Sequence, residues 1–276
     1  MAQNTAQYSA QYSTEYLERR VPLRRGKFQV QLVEGGEGPN LLFLHGAGGF
    51  TGWTPFLDRL AENYHVYAPA HPGVAGSEGL EYLDDLWDLM LFYEELMQEL
   101  GLEQTHIVGH SYGGMLAAEL AAHRPERVSR LVLVCPLGLW LDESPVPDFF
   151  VLTPSESAGL VWHDPDSPLA QAYRARPEDP QQRSEATLDR TRTLAAMGKF
   201  IWPIPDRGLT KRAHRITMPT LLLWGDSDGM VPPIYGTAFQ ELLPHARLEV
   251  IERCGHLPQV ERSEEFLFAV NNFLKE

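Results

Sequence analysis

The sequence predicts an α/β protein with a mostly parallel, twisted sheet, helices on both faces and a helical insertion. Two observations carry that reading. Short apolar strands alternate with amphipathic or small-residue helices along most of the chain, which is the pattern of a doubly wound sheet. The alternation then breaks at Pro136 and resumes near Met218, and the stretch between is dense in Pro, Trp and Phe. A long insertion on a regular scaffold commonly covers a site and carries specificity.

Taken in order, residues 1–20 are polar, with a short echo of Ala6-Gln7-Tyr8-Ser9 in Ala10-Gln11-Tyr12-Ser13. They offer little to bury and read as a mobile or loosely docked segment. Lys27 to Val33 alternates through Phe28, Val30 and Leu32 like a half-buried antiparallel strand. Leu41-Leu42-Phe43-Leu44 is continuously apolar, as suits a strand covered on both faces. It runs into His45-Gly46-Ala47-Gly48-Gly49, a loop rich in backbone N–H groups. A helix from about Trp53 to Glu62 and a strand over His65 to Ala68 follow. Asp84 to Leu100 places Leu86, Leu89, Met90, Tyr93, Leu96, Met97 and Leu100 at helical spacing, a core-packing stripe closed by Gly101. Thr105 to Gly109 is the next strand and Tyr112 to Ala122 the helix after it; Arg130 to Cys135 is another two-sided strand. The organisation expected is a core of residues 21–136 and 216–276, with a cap over 137–215 whose helical period is clearest from Ser184 to Met197. The last elements are a strand over Thr220 to Trp224, a helix from about Tyr235 to Leu243, a strand over Leu248 to Ile251 and a helix over Ser263 to Leu274.

Composition narrows the function classes. The chain of 276 residues is long enough for a sizeable core, and 43% hydrophobic with 22% charged residues is ordinary for a globular protein. A formal net charge of -14 argues against nucleic acid and anionic membranes as partners. No apolar run approaches the roughly 18–20 residues that span a bilayer, and the N-terminus has no basic and apolar leader pattern. A cytoplasmic location is the default expectation. Cys135 and Cys254 give neither a disulfide framework nor a metal-ligand spacing.

The chemistry lies at the strand ends. Gly109-His110-Ser111-Tyr112-Gly113 fits G-x-S-x-G between a strand and a helix, the turn that holds a serine hydroxyl above a sheet. A serine hydroxyl is a weak nucleophile and needs a base within reach, for which a histidine is suited. His256 follows the last strand directly, on the same sheet edge. The loop Gly225-Asp226-Ser227-Asp228 follows the preceding strand and offers two carboxylates to orient that base. The order nucleophile, acid, base is the one expected for this turn.

With these pieces the chain resembles the α/β-hydrolase superfamily from Lys27 to Leu274. The matching motifs are His45-Gly46-Ala47-Gly48-Gly49, Gly109-His110-Ser111-Tyr112-Gly113-Gly114, Leu223-Trp224-Gly225-Asp226-Ser227-Asp228 and Gly255-His256. The resemblance implies the α/β-hydrolase fold and selects Asp228 over Asp226 as the acid. It implies an oxyanion hole from the backbone of Tyr112 and of Ala47, with Gly46 or Gly48 as alternatives to Ala47, and a reaction without metal or cofactor. His71 follows Ala70, where relatives carry Asp in an Asp-x-Pro-Gly turn. Cys135-Pro136-Leu137 leaves the alternative acid position of some relatives without a carboxylate.

The expected activity is carboxylic ester hydrolysis through an acyl-enzyme, on a small-molecule ester with apolar acyl groups of modest size. Leu137, Trp140, Trp162, Trp202, Val231 and Leu257 are the expected pocket lining. Three alternatives stand beside it. Carbon–carbon hydrolases of ring-cleavage diketones share the triad and the cap, but their pattern has an aromatic residue after the histidine and Asn-Ser-Met in the elbow, where this chain has Leu257 and His110-Ser111-Tyr112. Cofactor-free perhydrolases share the acyl-enzyme. A slow-turnover ligand receptor keeps the triad without rapid catalysis. Monomer and homodimer are both open.

Overall fold

The computed structural model describes residues 12–204, 206–243 and 245–276. Eight strands form one sheet: β1 (Tyr16–Leu23), β2 (Phe28–Gly35), β3 (Asn40–Leu44), β4 (His65–Pro69), β5 (Thr105–His110), β6 (Val128–Val134), β7 (Thr220–Gly225) and β8 (Ala246–Ile251). Their order is β1-β2-β4-β3-β5-β6-β7-β8. β1, β2 and β4 pair antiparallel, and every pairing from β4 through β3 to β8 is parallel. The apolar runs of β3, β5, β6 and β7 are the central strands, buried on both faces, which is why they carry no alternation.

Ten helices complete the described chain: α1 (Pro55–Ala61), α2 (Leu86–Glu99), α3 (Tyr112–His123), α4 (Pro154–Val161), α5 (Pro168–Tyr173), α6 (Pro180–Ile201), α7 (Leu209–Arg212), α8 (Ile234–Leu242), α9 (Pro258–Glu261) and α10 (Ser263–Lys275). None is long and apolar enough to cross a membrane. Helices α4 to α7 lie in the insert between β6 and β7. The expected intermittent helicity there resolves into one long helix, α6, capped by the Asp179 carboxylate on the Gln182 N–H.

Helix α3 is the central one, buried from Tyr112 to Ala122. Its small residues are needed because it crosses the end of β3 at close range. A methyl group on Gly113 would stand 2.1 Å from the Leu44 carbonyl oxygen and 2.5 Å from that of His45. These are backbone atoms that cannot swing aside, so Gly113→Ala is expected at the costly end of overpacking, about 3 kcal/mol. In a chain of this size that is a fall of about 6–12 °C in Tm. An unchanged melt would contradict the close crossing.

Residues 12–20 are held more firmly than expected. Residues 1–11, with most of the internal echo, lie outside the described residues. From Tyr12 onward the segment is tied down rather than mobile. The Tyr12 hydroxyl donates to the Trp53 carbonyl at 2.7 Å, the Ser13 and Thr14 N–H groups donate to the Asp58 carboxylate at 2.8 and 3.0 Å, and Tyr16 stacks on Trp53. β1 then pairs with β2 along its whole length. An edge strand held by backbone bonds needs no apolar face, and β1 is largely exposed until Val21.

Candidate active site

The parallel strands deliver their C-terminal loops to one edge, where the three motif residues meet. Ser111 sits between β5 and α3 at φ 54°, ψ -115°, a strained left-handed conformation for a residue with a side chain. Two close approaches hold it there. The Ser111 N–H donates to the Val134 carbonyl at 2.9 Å, and its carbonyl accepts from Leu137 N–H at 3.1 Å. His256 Nε2 lies 2.9 Å from Ser111 Oγ, and its Nδ1 lies 2.7 Å from Asp228 Oδ2. The other Asp228 oxygen accepts from the N–H groups of Met230 and Val231, both at 2.9 Å. A carboxylate held by two amides keeps its second oxygen aimed at one partner. All three side chains are buried.

It is therefore Asp228, and not Asp226, that meets His256. Asp226 is exposed and braces the loop instead, accepting from the Cys254 N–H at 3.1 Å and from the Ser227 hydroxyl at 2.7 Å. Partial burial raises its pKa, but the donors from Arg253, Ser227 and Cys254 outweigh that and hold it below the ordinary value.

The His45–Gly49 loop packs directly against the elbow. A methyl group on Gly46 would stand 3.1 Å from Ser111 Cβ and 2.7 Å from His110 Nδ1, so only glycine lets this backbone pass. The Tyr112 N–H is the first of α3 and has no intrahelical acceptor by geometry, which makes it available to an anion at the helix start. Ala47 is half-buried in the facing loop.

Several supporting residues have no motif to announce them. The His110 side chain reaches the neighbouring loop: its Nε2 lies 2.7 Å from the His256 carbonyl, which an N–H must satisfy. Burial, with the neighbouring His256, lowers its pKa to about 3, so it stands neutral at pH 7. The insert is stapled to the same loops. Val161 O accepts from the His256 N–H at 2.6 Å and Leu160 O from the Gly229 N–H at 2.9 Å. The Glu261 carboxylate joins the two sides, accepting from Gly255 N–H and His163 N–H at 2.9 Å each. Glu261 at the end of α9 and His110 at the end of β5 carry no sequence signal for such bonds, since these depend on which segments meet.

The expected lining residues divide. Leu137 is buried beside the elbow, and Val231 is buried behind Asp228, with its carbonyl accepting from Trp224 Nε1 at 2.8 Å. Trp140 is half-buried and donates its indole N–H to Asp142. The other three lie in or against the insert. Trp162 is buried within the insert against Ala158 and Ala170, edge-on to Tyr173, with Leu257 alongside. Trp202 is 57% exposed at the end of α6. Aromatic content alone does not say which face of a helix end looks inward. Thr193 of α6 instead approaches the loop, 3.8 Å from where a Gly49 side chain would begin.

Among the described residues, Cys135, Asp228 and His256 bring three metal-ligand atoms within 4.8 Å of one another. The Asp228 and His256 atoms are 2.7 Å apart. Two ligands on one tetrahedral ion with bonds of about 2.1 Å stand about 3.4 Å apart. They are spaced as bonded partners rather than as ligands around an ion. Burial, with the Asp228 charge, pushes the Cys135 thiol pKa up, so it remains protonated.

Three buried neutral histidines make the fold acid-sensitive. Burial lowers His71 to about 4 and His110 to about 3 and holds His45 well below the ordinary 6.5. The unfolded chain takes up these protons near 6.5 while the folded chain does not, so stability falls as pH drops from about 6.5 to 4, by up to about 1.4 kcal/mol per pH unit for each histidine. Glu261, whose pKa is raised by burial, opposes this just above its ordinary value. Tm is expected to be level above pH 7 and to fall steeply below 6; a flat Tm from pH 7 to 5 would contradict the neutral, buried state.

Comparison with known proteins places this geometry. The chain is 28% identical to a 2-hydroxy-6-oxo-6-phenylhexa-2,4-dienoate hydrolase of Comamonas testosteroni, over 90% of this chain and 92% of the relative. It is 32% identical to a 2-hydroxy-6-oxononadienedioate/2-hydroxy-6-oxononatrienedioate hydrolase of Burkholderia vietnamiensis, over 85% and 86%. Among solved structures it superposes on a membrane phospholipase A described as a bacterial virulence factor, with a TM-score of 0.72 and 27% identity, covering 94% of this chain and 86% of that one. The profile of the alpha/beta hydrolase family matches residues 41–270, and with the eight-stranded sheet and the elbow at its centre the chain belongs to that family.

Proposed function

We propose that the protein is a serine hydrolase that cleaves the carbon–carbon bond beside a ketone in dienoates of the ring-cleavage type. The observation that carries hydrolysis is the unbroken line Asp228–His256–Ser111, with both hydrogen bonds formed. What favours the carbon–carbon bond over the ester is the extent of likeness to the dienoate hydrolases: 90% of this chain aligns, so the match extends well into the insert. His256 accepts the Ser111 proton as Oγ attacks the ketone, and Asp228 holds the imidazole in the tautomer that does so. The tetrahedral oxyanion is held by the N–H groups of Ala47 and Tyr112. Before attack the 2-hydroxyl proton moves onto the carbon beside the ketone; that carbon, now saturated, departs as a dienolate whose charge delocalises into the substrate's carboxyl-bearing end, and His256 returns the proton to it. Water then releases the acyl group from Ser111. No step calls for a metal or a cofactor. The partner is a small molecule, and the insert serves as the cap that selects it.

Ester hydrolysis is the second reading. Leu257, half-buried after the catalytic histidine, and His110 in the elbow depart from the aromatic and Asn of the carbon–carbon hydrolases. The two readings separate on one comparison: kcat/KM for 2-hydroxy-6-oxo-6-phenylhexa-2,4-dienoate, followed by its loss of colour, against p-nitrophenyl acetate, butyrate and octanoate. The proposal expects the dienoate to lead every ester by about 100-fold or more, a difference of about 2.7 kcal/mol in transition-state binding. Esters turned over faster than the dienoate would establish the second reading.

A further inference from the structure

Three buried groups lie outside the line through Ser111: His45, His71 and Tyr93. All three are removed from solvent, and the two imidazoles stack with ring centres 3.8 Å apart. Their hydrogen bonds fix their protons without ambiguity. The His71 backbone N–H donates to His45 Nε2 at 3.2 Å, so that nitrogen is bare. A neutral His45 then carries its proton on Nδ1, which lies 3.0 Å from the Gly46 carbonyl and donates to it. His71 Nε2 lies 2.8 Å from the His45 carbonyl, an acceptor only, so it carries the proton of that ring. His71 Nδ1 is left bare and accepts from the Tyr93 hydroxyl. Burial, which lowers both imidazole pKa values, keeps the two rings neutral.

The end of this sequence of bonds is a single peptide plane. The Gly46 carbonyl accepts from His45 Nδ1 and also from the Gly49 N–H at 3.2 Å. That carbonyl belongs to the same peptide unit as the Ala47 N–H. The unit is trans, so its N–H points opposite to its C=O. Fixing the carbonyl from two sides therefore fixes the direction of the N–H, beside Ser111.

We propose that Tyr93, His71 and His45 form a second, proton-ordered relay that sets the tilt of the Gly46–Ala47 peptide and so aims one donor of the oxyanion hole. They are positioning residues: none touches the reacting atoms. The relay uses both ring nitrogens of His71: a neutral imidazole supplies a donor to the His45 carbonyl and an acceptor to Tyr93 at once. The inference rests on the serine-hydrolase reading for its consequence in catalysis, but its proton arrangement stands apart from it.

Two experiments on the full chain test it. The first is independent of turnover: imidazole ¹⁵N NMR at pH 6 to 8 is expected to show His45 protonated on Nδ1 and His71 on Nε2, both neutral. The opposite tautomer on either ring, or titration of either near the ordinary histidine value, would overturn the relay. The second uses Tyr93→Phe, His71→Leu and His71→Gln, the last of which keeps an N–H near the place of Nε2. The readouts are kcat and KM on the best substrate, and the affinity of phenylboronic acid, which forms a tetrahedral anion on the serine. Losing one aimed oxyanion donor typically costs about 100-fold. His71→Leu is expected to lose that in kcat and in boronate affinity together, with KM within twofold. Tyr93→Phe should lose a smaller, parallel amount, and His71→Gln should recover most of it. A folded His71→Leu with kcat and boronate affinity near wild type, or a His71→Gln as impaired as His71→Leu, would refute the role. If His71→Leu fails to fold, Tyr93→Phe decides on the same two readouts. A wild-type protein without Ser111-dependent turnover would refute the hydrolase reading, and the NMR tautomers would still decide the relay.

Discussion

Ser111→Ala is expected to lower kcat/KM by about 10⁴- to 10⁶-fold on every substrate the protein hydrolyses, with no loss of stability. The size follows from what is removed. The hydroxyl is the only group at the elbow that His256 Nε2 meets, at 2.9 Å, so without it the imidazole has no nucleophile to activate. The rate expected to remain is that of water attacking a substrate polarised by the proposed donors, the Ala47 and Tyr112 amides. Stability should be kept or raised, since the side chain is small and the φ 54° conformation of residue 111 stays imposed by its bonds to Val134 and Leu137. Rates and thermal melts on the same preparations check both halves. A variant that keeps more than a few per cent of activity would place the nucleophile elsewhere.

Asp228→Asn is the second large effect, expected at about 10⁴-fold in kcat. The change keeps shape but replaces an oxygen that only accepts with an amide. Oδ1 is claimed by the N–H groups of Met230 and Val231, so the amide oxygen takes that position and the NH₂ faces His256 Nδ1. The imidazole must then bare Nδ1 and protonate Nε2, the wrong nitrogen for accepting the Ser111 proton. Asp226→Asn, only two residues away, is expected to change kcat by less than about threefold, because its carboxylate supports the Cys254 backbone and Ser227 rather than His256. Steady-state rates of the pair decide it; a loss in Asp226→Asn as large as in Asp228→Asn would contradict Asp228 as the sole acidic partner of His256.

How much of this was legible in the sequence differs by feature, and the reasons are physical. The central strands were readable because burial on both faces forces continuous apolar runs, as in Leu41 to Leu44 and Leu131 to Val134. The elbow was readable because close approach admits only glycine: a methyl group on Gly109 would stand 2.4 Å from the Gly113 carbonyl oxygen. The choice of Asp228 over Asp226 came from resemblance, since both carboxylates sit on the same loop, and the geometry shows which one turns inward. β1 was hidden because an edge strand paired through its backbone leaves no apolar pattern at Tyr16 to Arg20. The supporting bonds were hidden for a different reason. Glu261 binding His163, His110 binding the His256 carbonyl, and Tyr93 meeting His71 join segments well separated in sequence. Tyr93 in particular occupies a regular position in the apolar stripe of α2, where its hydroxyl gives no sign of a partner. The burial of Trp162 within the insert and the exposure of Trp202 were not readable because the insert has helices too short or too polar for periodicity to fix their inward faces.

Covalent labelling tests the central claim most directly. The intact protein, treated with a fluorophosphonate and digested, should carry one phosphonyl group, on the peptide containing Ser111, and the Ser111→Ala and His256→Ala variants should remain unlabelled over the same time. Label on another residue, or no label on a folded wild-type protein, would contradict a hydrolase built on Ser111, His256 and Asp228.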